Sequence, residues 1–272
     1  MLNGGIMKKI LLKSVLALII ITIPVYNCIN LFSSADTVTA AATDKSFVEI
    51  FSSFDVREIE KRISEKLEIR AQYYEQLKLE EEKRERYEKM KKQLEEGSLT
   101  YRQIFSDSLI VGDSLMNGLE IYKVLDSSNM ITMVSASLYH LEGNISRIIS
   151  NNPKNLILHY GINMMTNSQS QLDFFISMYT GIIKNLKSRL PDTEIYISGV
   201  FKVAESAADR YSYLDRYNEA LQQMCESLEV NFVDNSECLP GDGSYYGSDG
   251  IHVSKSFYMD IWLPHLFASI YS

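Results

Sequence analysis

With 272 residues, 46% of them hydrophobic and 23% charged, the chain can hold one large or two small globular domains. Its formal net charge of −8 is unevenly spread: residues 57–96 carry 12 acids and 12 bases and residues 1–56 four of each, so the whole excess falls on residues 97–272. A domain that acidic lacks the clustered Lys and Arg that grip phosphate backbones, which argues against nucleic acid as a partner.

Near the N-terminus Lys8, Lys9 and Lys13 precede an uncharged run from Ser14 to Phe32. About 19 such residues approach the length of a membrane-crossing helix, and the basic flank is expected to stay cytoplasmic with the rest outside. Residues 1–32 therefore read as a signal anchor or a signal peptide. The small residues of "SSAD" offer a cleavage site, but it lies late after a long run, which favours an uncleaved anchor. Cys28 falls in this run. Cys225 and Cys238 could form one disulfide, yet a single pair is no framework, and without metal-site spacing both read as structural.

Residues 33–46 are small and polar, as in a tether. From 47 to 96 there is no Gly or Pro, and strong helix formers predict a long charged helix that ends at Gly97. Ile59, Ile63, Tyr73, Leu77, Tyr87 and Leu94 fit one alternating 4-3 register, but Lys66, Arg70, Glu80, Arg84 and Lys91 fill its other seam positions. That half-apolar seam suits a solvated stalk held by ion pairs at i,i+4, or a weak coiled coil through which the chain forms a homodimer.

From residue 105 onward short apolar runs alternate with longer amphipathic ones. Strands are expected at 108–112, 130–135, 155–161, 194–199 and 229–234. Helices are expected near 116–125, 141–151, 169–190, 211–228 and 254–270. The alternation predicts an α/β domain with a central five-stranded parallel sheet covered on both faces. Ligands of such sheets bind at the carboxyl ends of the strands, so the polar segments there are where chemistry is sought.

The first of these ends is Gly112-Asp113-Ser114-Leu115. Ser114 stands where a helix begins, near free backbone N–H groups that would stabilise an anion formed on it. Alternatively, Ser114 or Asp113 simply caps the helix. Asn163, after the third strand, can aim an amide donor at a developing oxyanion. Asp249 and His252, three apart before the last helix, supply the carboxylate and imidazole that would activate a serine hydroxyl. Among the other histidines, His159 in a strand and His265 after Pro264 read as structural, while His140 lies near a crevice loop.

The order Gly-Asp-Ser-Leu (112–115), Gly-x-Asn (161–163) and Asp-x-x-His (249–252) resembles the GDSL or SGNH hydrolases over residues 105–272. The resemblance implies a flavodoxin-like three-layer α/β/α fold and ester cleavage through an acyl-enzyme, with no cofactor and no metal. It assigns Ser114 as nucleophile, His252 as base, Asp249 as its orienting partner, and the Ser114 N–H with Asn163 as oxyanion donors. The family's Gly after the second strand is missing from "VSASLYHLEGN", where Ser137 supplies the candidate N–H, and Met164 stands where Asp is frequent. Similar departures occur in exported carbohydrate-active relatives, including O-acetyltransferase domains.

The expected function is an extracytoplasmic serine esterase that removes small acyl groups, chiefly O-acetyl, from a cell-surface glycan, peptidoglycan or other small ester. Acyl transfer by the same residues, or a catalytically silent binding domain on a coiled-coil stalk, are the alternatives.

Overall fold

The computed structural model describes residues 56–239 and 243–272. The expected anchor, the tether and the first nine residues of the expected helix lie outside the described residues. Among the described residues no helix is long and apolar enough to cross a membrane.

The chain divides into two units, residues 1–75 and 76–272. One helix, α1 (Val56–Glu95), spans the boundary. In the first unit its apolar side chains are solvated, Ile63 and Tyr73 being 54% and 55% exposed. In the second unit Tyr87, Met90 and Leu94 pack on the core, and Tyr87 stacks on Phe267 with ring centroids 4.9 Å apart. Two of the six apolar seam positions thus face this chain's own domain. The helix ends at Gly97, whose φ of +71° no side chain adopts cheaply. The Ser98 N–H reaches the Gln93 carbonyl and the Gly97 N–H that of Leu94, which closes the last turn.

Five parallel strands follow: β1 (Ser108–Gly112), β2 (Met130–Thr132), β3 (Asn155–His159), β4 (Glu194–Ser198) and β5 (Asn231–Val233), in the order β2-β1-β3-β4-β5. Helices flank the sheet: α2 (Ser114–Ile121), α3 (Leu138–Gly143), α4 (Ile145–Asn151), α5 (Gln169–Arg189), α6 (Leu214–Leu228) and α7 (Leu263–Tyr271). α5 packs against α3, α4 and α6. The arrangement is a three-layer α/β/α fold, and the strand order reverses between β1 and β3, where such sheets open a crevice. Every residue of β1 and β3 is buried, so these apolar runs are central strands with both faces covered.

Several elements are shorter than the sequence suggests. β2 stops at Thr132 because Ser135 takes φ +59°, Met133 closes the ladder on the Gly112 carbonyl, and the Ala136 N–H turns back to the Met133 carbonyl. The β3 run stops at His159 because Gly161 accepts the Met164 N–H in a turn. The helix expected at 141–151 is two, starting earlier and broken at Asn144, whose side chain donates to the His140 carbonyl. The last helix opens with a π-helical turn, Phe257–Trp262, because Pro264 has no N–H to continue the ladder from behind. Residues 205–211 form a 3₁₀ turn before α6. Cys225 and Cys238 are buried free thiols, not a disulfide.

Candidate active site

The turn that carries Ser114 is built by its neighbours. A side chain at Gly112 would come within 2.5 Å of Met116 Cγ and 2.9 Å of the His159 carbonyl, so only glycine fits between β1 and β3. Asp113 then caps α2, its Oδ1 accepting the Leu115 N–H at 3.0 Å. That resolves the capping ambiguity. Asp113 satisfies the helix end, and Ser114, as the first helical residue, keeps both its hydroxyl and an N–H with no intrahelical acceptor. Tyr258 from the π-helical turn donates its hydroxyl to the Leu115 carbonyl and fixes the first turn of α2 from the other side.

His252 comes from the loop before the π-helical turn. Asp249 Oδ1 accepts the N–H groups of Ile251 and His252, each at 3.0 Å, so the carboxylate folds its own loop around itself. Gly250, at φ +68° and packed against Ser206, makes the reversal that only glycine allows there. Its carbonyl accepts the Ala204 N–H at 2.8 Å, tying the loop to the segment after β4. Asp249 Oδ2 is 2.5 Å from His252 Nδ1, and His252 Nε2 is 3.0 Å from Ser114 Oγ. Partial burial of Asp249 is outweighed by hydrogen bonds from the His252 ring and from the Ile251 and His252 N–H groups, which hold its pKa down at about 2. It is therefore ionised throughout the neutral range and fixes the tautomer with the proton on Nδ1, leaving Nε2 as the proton acceptor facing Ser114.

Asn163 is exposed at the next strand end and donates one amide hydrogen to the Ala136 carbonyl at 3.0 Å, which leaves a second for a ligand. Ser137 differs from expectation. Its N–H donates to His140 Nδ1 at 3.1 Å, and its hydroxyl lies 3.0 Å from the same nitrogen, because His140 occupies the third position of a capping box for α3. The Ala136 N–H is likewise spent on Met133. Ser137 is thus engaged within its own loop, and the open donors beside Ser114 are its own N–H and the Asn163 amide. His140 serves the loop. His159 is fully buried, held near pKa 3 by that burial and hydrogen-bonded to Ser198 Oγ at 3.1 Å. His265 is on α7.

Sequence reasoning named Asp113 only as one of two candidate helix caps and missed its burial. Its side chain is fully buried, Oδ2 has no partner, and burial lifts its pKa to about 7 against the opposing pull of the Leu115 N–H and the His252 charge. The only available signal was its position between a buried strand and a helix start. Tyr258 had no signal at all. Among the described residues no cluster of His, Cys, Asp or Glu could hold a metal ion.

Ser114 is half-buried while Asn163, Asp249 and His252 are exposed, so the constellation opens directly to solvent. It can move a proton from a serine hydroxyl to an imidazole and offer two N–H donors to an anion. The model of the GDSL-like Lipase/Acylhydrolase family matches residues 110–258. No curated protein matches the chain. Among solved structures, an acetyl-xylooligosaccharide esterase from Geobacillus stearothermophilus is 15% identical, with 60% of this chain and 92% of that one covered and a TM-score of 0.46. A lipase/acylhydrolase from Enterococcus faecalis is 13% identical, with 60% and 95% covered and a TM-score of 0.47.

Proposed function

The chain belongs to the GDSL-like lipase/acylhydrolase family and is an SGNH-type hydrolase, and from that premise we propose that it cleaves small acyl esters through an acyl-enzyme on Ser114. The observation that carries this reading is the continuous hydrogen-bonded line from Asp249 through His252 to Ser114 Oγ. His252 Nε2 takes the hydroxyl proton as Oγ attacks the ester carbonyl. The ionised Asp249 stabilises the imidazolium that results, and the Ser114 N–H and Asn163 amide stabilise the oxyanion. The imidazolium returns the proton to the departing alcohol oxygen as the C–O bond breaks. Water then enters by the same route in reverse, releasing the acid and restoring the hydroxyl.

The substrate and place of action in this proposal are O-acetyl groups on a cell-surface glycan or peptidoglycan, with the domain held outside the cytoplasm by the segment 14–32. The basic flank and uncharged length of that segment support the location. The solvent-open serine supports a short acyl group on a bulky acceptor, since a long acyl chain needs enclosed apolar surface. The test is incubation of the full chain with acetylated glycan and labelled acetyl donors. Free acetate that depends on Ser114 supports hydrolysis. Label recovered on the sugar acceptor would reassign the reaction as transfer, and unchanged turnover in Ser114→Ala would remove the assignment.

A further inference from the structure

The amino edge of the sheet, one strand length or about 15 Å from the catalytic turn, carries a second concave surface. Two openings of about 310 and 300 Å³ share Arg86, Lys154 and Tyr271, and together form one groove between α1 and the starts of β1, β3, β4 and β5. Lys89 lines the first opening and Lys83 the second. Lys83, Arg86 and Lys89 follow at three-residue intervals, about 4.5 Å of rise each, so they form a row along the helix. Lys154 faces that row from the turn before β3.

Among the described residues none of these four cations has an ion pair, whereas Lys78, Arg84 and Lys92 on the same helix are each paired with a glutamate. Two acids border the groove, Asp107 and Glu194, and Glu194 already accepts the Asn231 amide at 3.3 Å. A chain of net charge −8 thus concentrates unpaired positive charge in one recess. Solvated lysines scattered over a convex surface would need no explanation. A row of them facing a fourth cation across a groove is a different arrangement, because bringing like charges together costs free energy that a bound anion would recover.

We propose that this groove, whose cations come mainly from the near-neutral helix α1 and not from the acidic residues 97–272, binds a linear phosphodiester polymer. A groove lined along its length by a row of cations fits an extended chain rather than a planar lipid surface. Lysine meets a phosphate as a point charge and arginine through its planar fork, so three lysines and one arginine along one groove can contact successive phosphates of one chain. Binding at the amino edge leaves the carboxyl edge free, so the protein could hold an anionic polymer while its cleft works on an ester elsewhere.

The test titrates the full chain with poly(glycerol phosphate) by calorimetry at low salt. Saturable binding is expected, weakened at least about tenfold and with a flatter salt dependence in Lys83→Ala/Arg86→Ala/Lys154→Ala, since each phosphate contact contributes to the salt slope. Lys91→Ala, an exposed change off the groove, should bind as the wild type does, and an unchanged thermal midpoint reports that the triple variant folds. If it does not fold, Lys83→Glu alone, on an exposed helix position, must show the same loss in smaller measure. Equal binding by wild type and variant, no saturation, or tighter binding to phosphatidylglycerol vesicles or to polygalacturonate would overturn the proposal.

Discussion

Ser114, His252 and Asp249 are joined by side-chain hydrogen bonds of 3.0 and 2.5 Å, whereas the contacts that hold the facing side of the cleft run to backbone N–H and carbonyl groups. There the Met133 N–H meets the Gly112 carbonyl, the Ala136 carbonyl receives Asn163, and Ser137 is tied to His140. In the proposed mechanism the first half moves a proton and depends on three functional groups. The second positions donors and depends on the course of a loop that contains a non-glycine residue at φ +59°. Residue identity specifies the one, and chain geometry the other, so substitutions should damage them to different degrees.

The largest effect is expected on the proton-moving half. Ser114→Ala or His252→Ala should lower kcat on p-nitrophenyl acetate by at least about 10⁴-fold, and the double variant by hardly more, because residues that act as one unit are not additive. Additive losses would show that the two residues do not share one step. On the facing half, Asn163→Ala should lower kcat by about 10²- to 10³-fold with KM little changed, as loss of one oxyanion donor does. A loss confined to KM would mean that Asn163 binds the ground state and not the developing anion.

Asp113 sharpens the comparison through stability. Its folded pKa is raised to about 7, so the folded state holds a proton that the unfolded chain has already lost. Its burial is therefore harmless below about pH 4 and increasingly destabilising as pH rises to about 7, by on the order of a few kcal/mol in all. Asp113→Asn keeps an acceptor for the Leu115 N–H and removes the charge. Its thermal midpoint relative to wild type should rise between pH 5 and 8, and a constant difference across that range would refute the buried charge.

The same contrast explains what could be read in the sequence. Strand β1 and helix α5 were legible because continuous apolar runs and long amphipathic periods report burial locally. The serine, the Asp-His pair and Asn163 were legible because each stands at a strand end in a topology that brings those ends together. The competition between Asp113 and Ser114 for the cap was not, since both residue types fit and only the backbone decides. Nor was the partner of Tyr87 and Leu94. An apolar stripe says that something covers it, and here the cover is α7 and the domain core. Asn144 broke an expected helix because its amide satisfied the His140 carbonyl locally, a short-range competition that periodicity does not register.

The smallest predicted effect tests whether the loop's shape or its spare donors matter more. His140→Ala removes the acceptor of the Ser137 N–H and frees that donor beside the cleft. If catalysis were short of a donor, the variant would gain activity. If the loop's course is what places the Ala136 carbonyl, and through it Asn163, then losing the cap should cost about 1 kcal/mol of positioning, or about a fivefold drop in kcat. We expect the drop, with part of it restored by His140→Gln, whose side-chain oxygen can take the same N–H in the same capping position. A rise in kcat for His140→Ala would instead make Ser137 a latent oxyanion donor and transfer the control of this half of the cleft from backbone course to one side chain.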